Sequence, residues 1–179
     1  MKKVVILSAS PRLNGNSDTL AKQFKKGAEE EGNSVELIEL AQKKINFCHG
    51  CYYCASHDGH CCQQDDAEAI IDKMVAADVL VFATPTYFYS MDAQLKALID
   101  RSVMKYTTIT DKDVYIILTS WDPERKDVEK VVEAIRGFTK DCLPNAKEKG
   151  VLYGIGVNDK GDVEKTQYPA QAYEMGRNC

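Results

Sequence analysis

Three groups of residues in this sequence have the types and spacing to do chemistry. The densest is CHGCYYCASHDGHCC, residues 48–62, which holds five of the seven cysteines and all three histidines. Cys48, Cys51, Cys54 and Cys61 follow the pattern C-x2-C-x2-C-x6-C, with Cys62 as an adjacent extra thiol. Four thiolates this close in sequence can hold a [4Fe–4S] cluster. His57 and His60 continue the three-residue spacing and admit zinc, although structural zinc sites usually pair two separated knuckles. The plain alternative is a set of free thiols, some oxidising to a disulfide.

The second group is SASPRLNGNS, residues 8–17. It lacks both G-x-G-x-x-G and G-x-x-x-x-G-K-[ST], which removes support for a dinucleotide-binding turn and for a nucleoside triphosphatase. What it offers is a concentration of donors: Ser8, Ser10, Arg12, Asn14, Asn16 and Ser17. Placed at the start of a helix, such donors join free backbone N–H groups and suit a phosphomonoester. An ordinary polar turn is the plain alternative. The third group, PTYFY at 85–89, sets Thr86, Tyr87, Phe88 and Tyr89 in a loop. Consecutive exposed aromatics suit a flat aromatic ligand or a subunit contact.

These groups need a scaffold, and the apolar patterning supplies one. KVVILSAS (3–10), SVELIEL (34–40), DVLVFATP (78–85), DVYIILTS (113–120) and GVLYGIGV (150–157) read as strands, several of them apolar on both faces as in a covered parallel sheet. Between them, 18–32, 65–77, 90–106, 125–138 and 162–178 read as helices, with Ser17 as the N-cap of the first and Pro169 bending or delaying the last. Leu95, Leu98, Ile99 and Val103 form the apolar stripe of the third helix, and Cys142 reads as core. Five alternations predict one three-layer α/β domain over 1–179, with a long irregular Cys-rich loop at about 41–64. Ligands in such folds sit beyond the carboxyl ends of the strands. Segments 9–17, 85–90 and 120–124 therefore share one rim, and the cysteine loop is expected to open onto it.

Composition excludes other classes. The net charge is −4, from 23 basic and 27 acidic residues with signs interspersed, so nucleic-acid binding has no electrostatic support. No apolar run reaches membrane-spanning length, and VVIL is too short for a secretory signal core, which predicts a cytoplasmic protein without a membrane partner. In a reducing compartment, clustered cysteines favour metal or redox chemistry over structural disulfides.

In the order SASPRLNGNS, CHGCYYC, TPTYFYSMDAQLKALIDR, the chain resembles the NAD(P)H-dependent FMN reductase superfamily of flavodoxin-like proteins, in the branch that includes iron–sulfur flavoproteins. The resemblance implies a five-stranded parallel sheet of order 2-1-3-4-5. It implies an FMN phosphate held by Ser10, Arg12, Asn14, Asn16 and Ser17, and an isoalloxazine lined by Pro85, Thr86, Tyr87, Phe88 and Tyr89, mostly through backbone groups. Ser120 and Trp121 would approach from the other side, although TSWDPE lacks a glycine expected there. The implied activity is hydride transfer from NAD(P)H through FMN to a small acceptor such as a flavin or quinone, with the flavin and no side chain carrying the chemistry. A homodimer or tetramer is implied. Two alternatives stand beside this: an iron–sulfur flavoprotein taking electrons from ferredoxin, and a metal-responsive or partner-binding domain without flavin.

Overall fold

The computed structural model describes residues 1–179 and contains one five-stranded sheet. Its strands are β1 (Lys3–Ser8), β2 (Ser34–Glu39), β3 (Val79–Pro85), β4 (Asp113–Ser120) and β5 (Lys147–Ile155), all parallel in the order β2-β1-β3-β4-β5. The helices are α1 (Asn16–Glu30), α2 (Ala67–Ala76), α3 (Ala93–Arg101), α4 (Arg125–Thr139) and α5 (Tyr168–Arg177). None is long and apolar enough to cross a membrane.

Because side chains alternate along a strand, the central strands feed two cores. Val4, Ile6, Val81 and Ile117 face α1 and α5, packing on Leu20, Phe24 and Ala172. Val5, Leu7, Phe82 and Ile116 face the other layer, on Ile71, Leu95, Leu98, Val131 and Ile135. Burial on both faces explains why the strand segments read as apolar runs rather than alternating ones.

Several boundaries differ from the sequence reading, each for a local reason. The first helix begins one residue earlier than its expected cap, and Gly15, not Ser17, holds the N-cap position. No side chain caps the helix; Asp18 in its first turn instead ties it to the preceding loop and strand, its carboxylate accepting from the Asn14 N–H at 2.8 Å and the Ser8 hydroxyl at 2.8 Å. The third helix is shorter than 90–106. Asp92 caps its start by accepting from the Leu95 N–H at 3.1 Å, and beyond Arg101 the chain passes into short 3-10 turns. Val103 therefore leaves the stripe and is 46 % exposed. The last helix starts at Tyr168, because Pro169 fits the first turn, where no N–H is needed. Cys142 lies beyond α4 and is exposed, which corrects its assignment to the core.

Helices α1 and α5 approach closely through glycine. A Cβ on Gly176 would stand 2.0 Å from the Phe24 carbonyl oxygen, and one on Gly27 would stand 2.1 Å from that of Tyr173. Backbone cannot give way as a flexible side chain can. Gly176→Ala is therefore expected to cost about 1–3 kcal/mol in a urea melt, the usual range for overpacking, with no change in m-value.

Candidate functional site

The order β2-β1-β3-β4-β5 reverses direction between β1 and β3, which opens a crevice at the strands' carboxyl ends. Four loops meet there around a cleft of about 180 Å³, lined among others by Ser10, Arg12, Asn16, Ser17, Thr86 and Ser120. Pro85, Tyr87 and Trp121 also reach it, as do Gly15, Thr119, Val157, Asn158 and Lys160, which the sequence did not single out. The lining carries two cations, Arg12 and Lys160, and no carboxylate.

The β1–α1 loop is folded by its own polar groups. The Ser10 hydroxyl donates to the Arg12 carbonyl at 2.9 Å and accepts from the Arg12 N–H at 3.2 Å. The Gly15 N–H then closes onto the same carbonyl at 2.8 Å. A Cβ at Gly15 would meet both the Arg12 carbonyl oxygen and the Ser10 hydroxyl at 2.8 Å, so only glycine fits this turn. Asn14 sits outside the cleft in the left-handed region, at φ 55°, accepting from Lys22 Nζ at 2.7 Å.

The loop after β5 braces the first from the far side. Arg12 Nη1 donates to the Asn158 carbonyl at 3.3 Å, and Asn16 Nδ2 donates to the Asp159 carbonyl at 3.0 Å. Asp162 in turn accepts the Asn158 and Asp159 N–H groups. The hydrogen bond from Lys165 and those two N–H groups hold its carboxyl below the usual range.

After β3, the Thr86 N–H bonds the Thr119 carbonyl at 2.7 Å, tying the aromatic loop to β4. Tyr87 and Ser90 exchange backbone hydrogen bonds at 2.9 and 3.0 Å across a tight turn whose central residues are Phe88 (φ 48°) and Tyr89 (φ 57°). Two left-handed aromatics are unusual, and such strain concentrates at functional sites. The turn throws the Phe88 ring fully into solvent, while Tyr89 Oη donates to Asp122 Oδ2 at 3.0 Å and its ring lies under Lys130 Nζ. Neither side chain lines the cleft. The hydrogen bond and charge of Asp122 push the Tyr89 phenol above its ordinary pKa.

Two buried hydroxyls in this lining, Ser17 Oγ and Thr86 Oγ1, have no hydrogen-bond partner in the protein. Buried polar groups are normally satisfied, so the pair waits for an acceptor from outside. With two cations, no carboxylate and the N-terminus of α1, the cleft fits a phosphorylated ligand such as FMN.

The cysteine loop lies elsewhere. Cys48, Cys51, Cys54 and Cys61 line a separate cavity of about 330 Å³, walled by Asp100, Arg101, Val103 and Met104 at the end of α3 and beyond it. That cavity shares no lining residue with the cleft, which corrects the expectation of a common rim. The path of a long loop is set by its own anchors, here at its two ends. The Asn46 N–H donates to Asp65 Oδ2 at 2.8 Å, and the Lys44 N–H donates to Asp66 Oδ2 at 2.7 Å.

Two of the three histidines are engaged away from the thiols, whereas His49 lines their cavity. His57 stacks on Tyr53 at 3.6 Å, and His60 Nδ1 bonds Glu68 Oε1 at 2.6 Å. Cys62 stands outside the cavity with its sulfur 3.9 Å from that of Cys51. No three metal-ligating side chains converge on one point as the chain stands. Four thiols and His49 nonetheless border that one cavity, a donor set of the kind that takes iron and sulfide or zinc.

Comparison with known proteins bears on the family and the fold. The family model described as NADPH-dependent FMN reductase matches residues 2–135. An iron–sulfur flavoprotein of Methanocaldococcus jannaschii is 42 % identical over 100 residues, covering 56 % of this chain and 51 % of that protein. Another, from Methanosarcina thermophila, is 34 % identical over 102 residues, covering 57 % of this chain and 53 % of its own. The chain thus spans about half the length of the curated relatives it matches. Among solved structures, the NAD(P)H:quinone oxidoreductase from Methanothermobacter marburgensis has a TM-score of 0.73 at 20 % identity, covering 99 % of this chain and 96 % of that one. An FMN-dependent NADH-azoreductase from Bacillus anthracis, in complex with FMN, has a TM-score of 0.75 at 15 % identity and covers 99 % of both chains. At these identities the two structures speak to the fold, which is flavodoxin-like.

Proposed function

We propose that this chain, which belongs to the NADPH-dependent FMN reductase family, binds FMN in the cleft beyond β1, β3 and β4 and passes electrons from NAD(P)H to a small acceptor such as a flavin or quinone. The observation that carries the reading is the carboxylate-free cleft with two cations and two buried, unpartnered hydroxyls at a helix N-terminus.

When bound, FMN supplies the hydride-accepting and hydride-donating chemistry. The chain's own residues bind and orient. Arg12, Lys160, Asn16 and Ser17 hold the phosphate, the first two by charge and the others by hydrogen bonds. Pro85, Thr86 and Tyr87 form the wall from β3, held to β4 by the Thr86 N–H, and Ser120 and Trp121 form the facing wall. No carboxylate or histidine lines the cleft to act as an acid or base, so proton exchange with solvent is left to water.

A second cofactor is supported by a different observation, the four cysteines around one cavity. Cys48, Cys51, Cys54 and Cys61 would hold a [4Fe–4S] cluster there, supplying one-electron chemistry and a route for an electron-transfer protein such as ferredoxin. The separation of the two cavities within one chain favours a homo-oligomer in which neighbours bring such sites together. Exposed Phe88, Trp121, Phe47 and Tyr52 supply apolar contact area for it.

Spectra of protein purified without oxygen test the whole reading. Flavin absorbance, bleached on anaerobic addition of NADPH and restored by a quinone, is the expected result. Flavin that NADPH leaves oxidised while reduced ferredoxin bleaches it would replace the reductase with an electron carrier. A colourless protein that takes up no added FMN would return the flavin-free alternative.

A further inference from the structure

Arg101 ends α3 with 1 % of its side chain exposed, and a buried guanidinium is expensive unless it is paired. Its partner is Asp65, wholly buried, which accepts from Nη1 at 2.6 Å and from Nη2 at 3.1 Å. Nη1 also donates to the Asn46 carbonyl at 3.1 Å. Since Asp65 accepts the Asn46 N–H, one ion pair ties residues 46 and 65 together and closes the neck of the cysteine loop.

The fork leaves something over. Asp65 engages the two terminal nitrogens, so Nε–H remains, buried and without an acceptor. A purely structural pair has no use for an orphaned donor in this position. The guanidinium borders the cavity of Cys48, Cys51, Cys54 and Cys61; after Asp65, the Cys61 thiol is the group that favours its charge.

We propose that Arg101 is a positioning residue for the cysteine cavity: it latches the loop through Asp65 and Asn46, and it offers its free Nε–H to the Cys61 sulfur. An N–H donated to a ligand sulfur favours the electron-rich state of a cluster and raises its potential. This last part rests on the cluster reading above, whereas the contact with Cys61 does not.

Two measurements test it. In cluster-free protein labelled with 15N, the Arg101 Nε–H resonance is expected to be protected from solvent exchange. Cys61→Ser should shift it and Cys62→Ser should leave it in place. A resonance that Cys61→Ser does not move overturns the contact.

In protein reconstituted anaerobically with iron and sulfide, Arg101→Lys keeps the charge, loses the fork and is expected to lower the cluster potential. Asp65→Asn keeps Nε–H, removes a negative charge and is expected to raise it. A mere latch would be loosened by both variants, so shifts of the same sign overturn the electrostatic role. Wild-type protein that takes up no iron removes the cluster reading, and the resonance then decides the Arg101 contact by itself. Circular dichroism confirms folding of each variant. Should Arg101→Lys not fold, the Cys61→Ser resonance and the Asp65→Asn potential still decide, and a lowered potential in Asp65→Asn counts against the proposal.

Discussion

Asp92→Asn is expected to make the protein more stable above neutral pH and to leave it unchanged below about pH 4. Asp92 is 1 % exposed, its Oδ1 caps α3, and its Oδ2 has no partner. Burial pushes its pKa up from 3.8 to about 7, while the Leu95 N–H and the Thr84 hydroxyl pull weakly the other way. A pKa raised on folding means that the native state holds the proton more tightly than the unfolded chain. The stability it contributes is complete below pH 3.8 and is lost as pH rises toward about 7. At ~1.36 kcal/mol per pH unit that interval amounts to roughly 4 kcal/mol. Asparagine keeps the capping oxygen and never ionises, so urea melts of the variant should be flat from pH 4 to 7 where the wild type declines. Parallel declines in the two proteins would show that Asp92 ionises without cost.

Asp65, beside the other end of the same helix, has the opposite sign. Burial works against its charge, but the Arg101 fork and the N–H groups of Asn46 and Ala67 outweigh it and lower its pKa below 3.8. Its contribution is present above pH 3.8 and is lost as pH falls below it. Helix α3 is thus bracketed by two buried carboxylates, one that prefers its proton and one that refuses it.

That difference was not legible in DAQLKALIDR. Asp92 looks like any helix cap, and Arg101 like the last polar residue of an amphipathic turn. What sets them apart is a partner 36 positions away in one case and a buried, unpartnered second carboxylate oxygen in the other. The sheet was legible for the converse reason. Runs such as VVIL and VLVFA need only be buried on two faces to declare themselves, and that requirement is local. The cleft was half legible. Its β1, β3 and β4 loops carry donors and aromatics in sequence, but Asn158 and Lys160 matter only because β5 delivers its loop beside Arg12. Nothing in TYFY announces two left-handed aromatics, since that conformation belongs to asparagine and glycine by preference. The cysteine loop misled by its position after β2, because its course is dictated by Asp65 and Asp66 at its far end.

Removing Ser17 Oγ and Thr86 Oγ1 together should weaken FMN binding while leaving the empty protein at least as stable. Most binding-site substitutions lower both quantities, because a side chain that meets a ligand usually meets the protein too. Here both hydroxyls are buried and bond to nothing in the chain. An unsatisfied buried hydroxyl costs about 1–3 kcal/mol, so Ser17→Ala with the near-isosteric Thr86→Val should hold or raise the melting temperature of the FMN-free protein. A hydrogen bond to a charged oxygen contributes ~1.5–3 kcal/mol, so losing the Ser17 donor alone should weaken FMN by roughly ten- to a hundredfold. Flavin fluorescence titration reads this directly, and riboflavin is the control. If Ser17 faces the phosphate, Ser17→Ala leaves riboflavin affinity unchanged and narrows the preference for FMN over riboflavin by the same factor. Equal losses for both flavins would move Ser17 from the phosphate to the ring. An unchanged FMN affinity with a lower melting temperature would make the two hydroxyls structural and would remove the cleft's main claim to a phosphorylated ligand.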